Sequence, residues 1–235
     1  MNNFVLVPGA WLGAEVWDDV VAELRAAGQE AHALTLPGLA ERSAEPAGQQ
    51  AHVRAVVDEI ERLDLRNVVL VGHSYSGTPV GQAALRIGDR LARVVFVDAN
   101  VPADGEPFAN PARGFAAAVV DAVVDNDGWW PPPPAEEFAG QGLTEEEIGR
   151  LLAGATPHPG ASLTEPAVLE GSLAELPASY VKCLLDGEQP TPDVVELLAG
   201  ESWRLVRMDT GHWPMFSQPR ELARVLLDET APGRG

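Results

Sequence analysis

The chain has 235 residues, 46% hydrophobic and 22% charged, with 16 basic against 35 acidic side chains and a net charge of −19. Such a chain buries the core of one globular domain, residues 1–235, and is not a disordered acidic polymer. The acidity and the single lysine, Lys182, argue against nucleic acid or anionic membranes as partners. No apolar run approaches the roughly 20 residues that a bilayer crossing needs.

Met1-Asn2-Asn3 carries no basic residue, and the apolar run behind it is too short for a signal segment, so a cytoplasmic protein is expected. That run, Phe4–Val7, predicts a first strand covered on both faces. Val16, Val20, Val21 and Leu24 then recur at helical spacing up to Gly28. A second strand over 31–36 closes at Pro37-Gly38, and Val53, Val56, Val57, Ile60 and Leu63 mark a second helix. A third strand over 68–71, a helix over 78–87 and a fourth strand over 94–97 follow. This alternation predicts a mainly parallel sheet with helices on both faces.

The pattern breaks after Asp98. Residues 100–175 hold half of the 20 prolines, with helical pieces at 115–124 and 144–152. Phe108, Phe115, Trp129, Trp130 and Phe138 give this stretch apolar mass, so it reads as an inserted cap over a site. The alternation resumes with strands at 180–185 and 203–206 and helices near 193–198 and 219–227, giving six strands in all. The lone cysteine, Cys183, excludes an internal disulfide and a cysteine metal cluster and reads as a buried core residue.

The chemistry concentrates in Gly72-His73-Ser74-Tyr75-Ser76-Gly77, which follows a strand and opens a helix. A serine on so tight a turn is strained and exposed, and small residues two before and two after it let the backbone approach. Its Oγ then stands at a helix N-terminus, where N–H groups favour developing negative charge. Val7-Pro8-Gly9-Ala10-Trp11 after the first strand is the place for a second oxyanion donor. Among five histidines, His212 alone lies in a loop at a strand's carboxyl end, where a general base reaches the serine. His32 and His52 read as structural, His73 as packing under the turn, and His158 lies in the cap. For the acid, Asp186 ends the strand before a helix, a further strand and His212, in the chain order Ser–Asp–His. Asp98, ending the fourth strand, is the rival; Asp209 and Glu188 are weaker candidates.

Together, Val7-Pro8-Gly9-Ala10-Trp11, Leu36-Pro37-Gly38, the Ser74 turn, Val97-Asp98-Ala99-Asn100-Val101-Pro102 and Gly211-His212-Trp213-Pro214-Met215 resemble the α/β-hydrolase superfamily. They are most similar to its small branch of plant methyl esterases, hydroxynitrile lyases and bacterial relatives. The resemblance covers 1–100 and 178–230 and, more loosely, the cap. It implies Ser74 as nucleophile, Asp186 as acid, His212 as base, and the N–H groups of Ala10 and Tyr75 as the oxyanion hole. The chain departs from the family's His-Gly at Pro8-Gly9, and from its usual glycine at Ser76.

A serine esterase or lactonase acting on a small, largely apolar ester is therefore expected, with no metal and no organic cofactor. Trp11, Trp129, Trp130, His158 and Trp213 are the expected pocket residues. A carbon–carbon bond hydrolase or tailoring enzyme with the same triad, or a silent ligand-binding relative, are the alternatives. The lyases of this branch carry a lysine after the catalytic histidine, Thr in the oxyanion loop and Glu before the nucleophile. Here those positions are Trp213, Gly9 and His73, and Lys182, inside a strand four residues before Asp186, is not placed to substitute. The partner is a small-molecule substrate; whether the chain forms a homodimer is left open by its sequence.

Overall fold

A computed structural model describes residues 1–45, 47–111 and 114–230. Strands β1 (Asn3–Val7), β2 (Glu30–Ala33), β3 (Val68–His73) and β4 (Leu91–Val97) alternate with helices α1 (Asp18–Ala26), α2 (Gln49–Arg62) and α3 (Gly77–Arg86). Between β4 and the next long strand runs an excursion. It holds helix α4 (Ala116–Asp125), the short strand β5 (Trp129–Trp130), helix α5 (Glu145–Gly154), the short strand β6 (His158–Pro159) and helix α6 (Gly160–Thr164). The chain then returns through β7 (Ala178–Cys183), α7 (Pro192–Leu198), β8 (Trp203–Met208), α8 (Pro214–Ser217) and α9 (Pro219–Asp228).

The long strands form one parallel sheet in the order β2-β1-β3-β4-β7-β8, while β5 and β6 pair antiparallel by themselves. Every residue of β3 and of β7 is buried, as expected of strands covered on both faces. Alternation divides the core in two. Val5, Val7, Val68 and Leu70 face Val53, Val56 and Ile60 of α2 and Val80 and Ala83 of α3. Phe4, Leu6, Val69 and Val71 face Val20 and Leu24 of α1 and Leu222 and Leu226 of α9. Each large aliphatic side chain buried this way stabilises the fold by about 1.5–3 kcal/mol. The chain is thus an α/β-hydrolase fold, with a six-stranded parallel sheet and helices on both faces.

Strands β3, β4 and β8 run two to three residues longer than their apolar runs, and two other strands stop short of theirs for a shared reason. The expected strand over 31–36 stops pairing at Ala33, and that over 180–185 starts at Ala178 and ends at Cys183. In both, apolar residues continue past the last ladder bond, because Leu36 still packs in the core and Leu184–Asp186 turns into a 3-10 helix. Helix α5 begins where a capping box sets it, Thr144 accepting from the Glu147 N–H while Glu147 accepts from the Thr144 N–H.

Candidate active site

The carboxyl ends of β1, β3, β4, β7 and β8 converge on one point. At the end of β3, Ser74 adopts φ 54°, a left-handed conformation uncommon for a residue other than glycine. The turn is held from two sides. The Ser74 carbonyl accepts the Asn100 N–H at 2.9 Å, and the buried Ser76 hydroxyl donates to the Pro8 carbonyl. The two departures from the family pattern, Pro8 and Ser76, are therefore bonded to each other. Close approach explains two glycines: a Cβ on Gly77 would lie 2.1 Å from the Asn100 oxygen, and one on Gly9 would lie 2.7 Å from His73 Nδ1.

His212 lies in the loop between β8 and α8. Its Nε2 stands 2.9 Å from Ser74 Oγ, and its Nδ1 stands 2.7 Å from Asp98 Oδ2. Asp186, expected as the acid, approaches the same Nδ1 at 3.5 Å. The closer hydrogen bond belongs to the rival, and the surroundings show why. Asp98 turns inward at φ 43°, and its carboxylate is only 2% exposed, against 42% for Asp186. Its second oxygen accepts from Lys182 Nζ at 2.6 Å and from the Cys183 N–H at 3.3 Å, leaving Oδ2 for His212.

Lys182, in strand β7 as expected, is bound to the rival carboxylate. It is 5% exposed, and its long side chain runs to the Asp98 carboxylate and to the Asp186 carbonyl at 3.0 Å. A cleft of 270 Å³ joins Ser74, Asp98, Lys182, Asp186 and His212. Asp98, Asp186 and His212 also bring potential metal ligands within 4.8 Å of one another. The adjacent Lys182 ammonium opposes a cation there.

Electrostatics follow from this crowding. Burial alone would lower the His212 pKa, but hydrogen bonds to Asp186 and Asp98 and their charges outweigh it and push it up to about 9. For Asp186, burial would raise the carboxyl, yet the His212 hydrogen bond and the His212 and Lys182 charges hold it below the ordinary carboxylate range. His73, expected to pack under the Ser74 turn, stands with its ring 4.8 Å from that of His212, and its Nε2–H donates to the His212 carbonyl at 2.7 Å. Gln141, from the excursion, was not singled out by sequence. Its Oε1 accepts the His212 N–H at 2.7 Å, and its Nε2 donates to Asp186 at 3.3 Å. No local pattern marks it, since both bonds cross many residues of chain.

Beside His212 opens a cavity of 610 Å³, walled by Trp11, Phe108, Phe115, Trp130 and Pro131–Pro134. Of the expected pocket residues, Trp11 and Trp130 reach it. Trp129 does not: neighbours on a strand point to opposite faces, so its ring, 39% exposed, turns to an outer groove with Asp125 and Gly38. His158 is fully buried behind the Trp11 loop, hydrogen-bonded to Ser162 and to the Trp11 N–H. Trp213 packs against Phe138 at 4.7 Å and His212 at 4.9 Å between ring centroids, under the loop and away from the cavity wall. Ala10 is buried after β1, and Tyr75 follows Ser74 with its ring buried. Among the described residues, no helix is long and apolar enough to cross a membrane.

Known proteins share this fold. The model of the alpha/beta hydrolase family matches residues 4–225. A carbendazim hydrolyzing esterase of Nocardioides sp. (strain SG-4G) is 34% identical, over 96% of this chain and 98% of that protein. A putative chloroplastic methylesterase of Arabidopsis thaliana, methylesterase 14, is 25% identical, over 97% of this chain and 72% of its own. Among solved structures, an extracellular alpha/beta-hydrolase from a Paenibacillus species superposes with a TM-score of 0.85 at 23% identity, covering 99% of this chain and 100% of that one. That protein is described as sharing structural and functional homology with Tobacco Salicylic Acid Binding Protein 2. The chain therefore belongs to the alpha/beta hydrolase family and resembles the plant methylesterases within it.

Proposed function

We propose that this carboxylic ester hydrolase works through Ser74, His212 and Asp98 by way of an acyl-enzyme. The observation that supports it is the unbroken line from Ser74 Oγ through the two ring nitrogens of His212 to Asp98 Oδ2, with steps of 2.9 and 2.7 Å. His212 takes the proton of Ser74 as Oγ attacks the ester carbonyl, then gives it to the departing alcohol; water repeats the sequence to release the acid. Asp98 accepts from Nδ1–H, fixes the tautomer and stabilises the imidazolium. The Ala10 and Tyr75 N–H groups receive the oxyanion, each worth about 3–4 kcal/mol of barrier. Asp186 is a second, solvated carboxylate that adds charge at the same nitrogen.

The excursion acts as a cap, and its aromatic and proline walls suit a small, largely apolar ester whose acyl or alcohol part is flat. The kinship with a carbendazim hydrolyzing esterase puts carbendazim among the substrates to try. The Lys182 charge is committed to Asp98, so cyanohydrin cleavage is not expected. The test combines fluorophosphonate labelling with turnover of p-nitrophenyl acetate, methyl esters of aromatic acids and carbendazim. Labelling at Ser74 and ester turnover lost in Ser74→Ala are expected, with no cyanide from mandelonitrile above background. Wild-type protein that stays unlabelled and turns over no ester sinks the proposal.

A further inference from the structure

Trp11 is the most constrained residue beside the site. It takes φ 69°, a conformation that strains a bulky residue and persists only where surroundings enforce it. The enforcement comes from the cap. The Trp11 N–H donates to His158 Nδ1 at 3.3 Å. Its carbonyl accepts from the Thr156 N–H at 2.8 Å and from the Thr156 hydroxyl at 3.3 Å. Its indole N–H donates to the Trp130 carbonyl at 3.1 Å, with the two rings 4.3 Å apart. All three polar groups of one oxyanion-loop residue are thus held by a segment more than a hundred positions away.

The peptide in question has a neighbour pinned on each side. Upstream, the Pro8 carbonyl accepts from Ser76 on the nucleophile turn. Downstream, the Trp11 N–H is seated on His158. Between them lies the Gly9–Ala10 peptide, whose N–H is the oxyanion donor proposed above. His158 donates on its far side, which leaves Nδ1 to accept. Its Nε2–H faces Ser162 Oγ at 2.9 Å, and that hydroxyl donates onward to the Pro159 carbonyl at 2.7 Å. The chain of donors runs one way, so Nδ1 keeps its lone pair for Trp11. The flanking Pro157 and Pro159 restrict the backbone, and the ring packs on Tyr75, the other oxyanion residue, at 4.4 Å.

We infer that His158 is a positioning residue that sets the oxyanion hole from the cap, by holding the Trp11 N–H so that the Ala10 N–H faces the reacting carbonyl. The inference rests on the reading of Ser74 as nucleophile. A residue acting this way affects the transition state and leaves ground-state binding alone.

The test compares His158→Leu, which fills the space but cannot accept, with His158→Asn, whose Oδ1 stands near the place of Nδ1. Wild-type kcat, KM and affinity for phenylboronic acid, which forms a tetrahedral adduct on the serine, are the references. In His158→Leu, kcat and boronate affinity are expected to fall together by about 10²–10³-fold, the usual loss of one oxyanion donor, with KM within a few-fold. His158→Asn is expected to recover at least about 10-fold of both. Should His158→Leu fail to fold, Ser162→Ala takes its place: freeing the imidazole to turn must then lower kcat and boronate affinity with KM kept. Wild-type kcat in a folded His158→Leu or in that Ser162→Ala variant overturns the inference, as does a kcat loss without loss of boronate affinity. Inactivity of the wild type toward every ester is a different failure, that of the esterase reading itself.

Discussion

The parallel sheet and the cap hold one active site by different physics. The sheet supplies Ser74, Asp98, Lys182 and, one loop later, His212, from parallel-paired strands of which β3 and β7 are buried along their whole length and β4 along its last four residues. The cap has only the two-residue strands β5 and β6, and it exposes apolar side chains such as Val124 and Trp129. Among the described residues, its polar hold on the site consists of single hydrogen bonds from Gln141, Trp130, Thr156 and His158, beside the packing of Trp130 on Trp11 and Phe138 on Trp213. Reacting groups therefore sit on the rigid part, and the part that shapes binding and the oxyanion loop is attached through contacts that one substitution removes. Substitutions on the sheet side should cost most, in rate or in stability. Those on the cavity wall of the cap should appear in KM, and those at His158, which holds the oxyanion loop, in kcat.

The largest effect is expected at Asp98. Asp98→Asn keeps the shape but presents an amide to Nδ1 and favours the wrong tautomer, so kcat should fall by about 10⁴, as the matching change does in a serine protease. Steady-state kinetics on p-nitrophenyl acetate check it. If Asp186→Asn instead shows the loss, the acid is Asp186 and the closer hydrogen bond is not the catalytic one. Next comes Lys182→Met, which strands the Asp98 carboxylate, 2% exposed, without its cation. Breaking a buried pair in this way costs about 3–5 kcal/mol, measured by urea unfolding. Glu45→Gln, which breaks the exposed pair with Arg42, should leave the urea midpoint almost unchanged.

This contrast also decides what could be read from the residues in order. The strands were legible because burial on both faces writes itself as an unbroken apolar run, and the Ser74 turn because its steric demands are local. His212 was found by its place after a strand. The acid was not settled, because Asp98 and Asp186 each follow a central strand and chain order allows either. What separates them is the inward turn of Asp98 at φ 43° and the Lys182 contact across β4 and β7, neither of which is a local property. His158, Thr156 and Gln141 lay further beyond reach, since each acts through a bond to a residue more than 70 positions away.

On the cap, Trp130→Ala removes a cavity wall and the ring packed on Trp11, whereas Trp129→Ala trims an outward-facing ring. KM for an aromatic methyl ester should rise by about 10-fold in the first, the worth of roughly 1–1.5 kcal/mol of lost aromatic contact, and stay within error in the second. Equal responses would mean that the cavity beside His212 does not take the substrate.

The smallest effect is expected at Asp186, and it is best seen in pH. A general base must be neutral to take a proton, and the two carboxylates hold His212 protonated up to about pH 9. The rate kcat/KM should therefore climb with rising pH and level off only above that value, falling roughly tenfold per unit below it. Asp186→Asn deletes one of the two charges and leaves the Asp98 hydrogen bond at 2.7 Å in place. With less to stabilise the imidazolium, the acid limb should move to lower pH, so the variant outruns the wild type at pH 7 while the alkaline plateau changes by no more than a few-fold. Gln141 grips the same carboxylate, so Gln141→Leu should shift the limb less than Asp186→Asn does. A profile for Asp186→Asn that keeps its midpoint and drops its plateau would return Asp186 to the role of orienting acid.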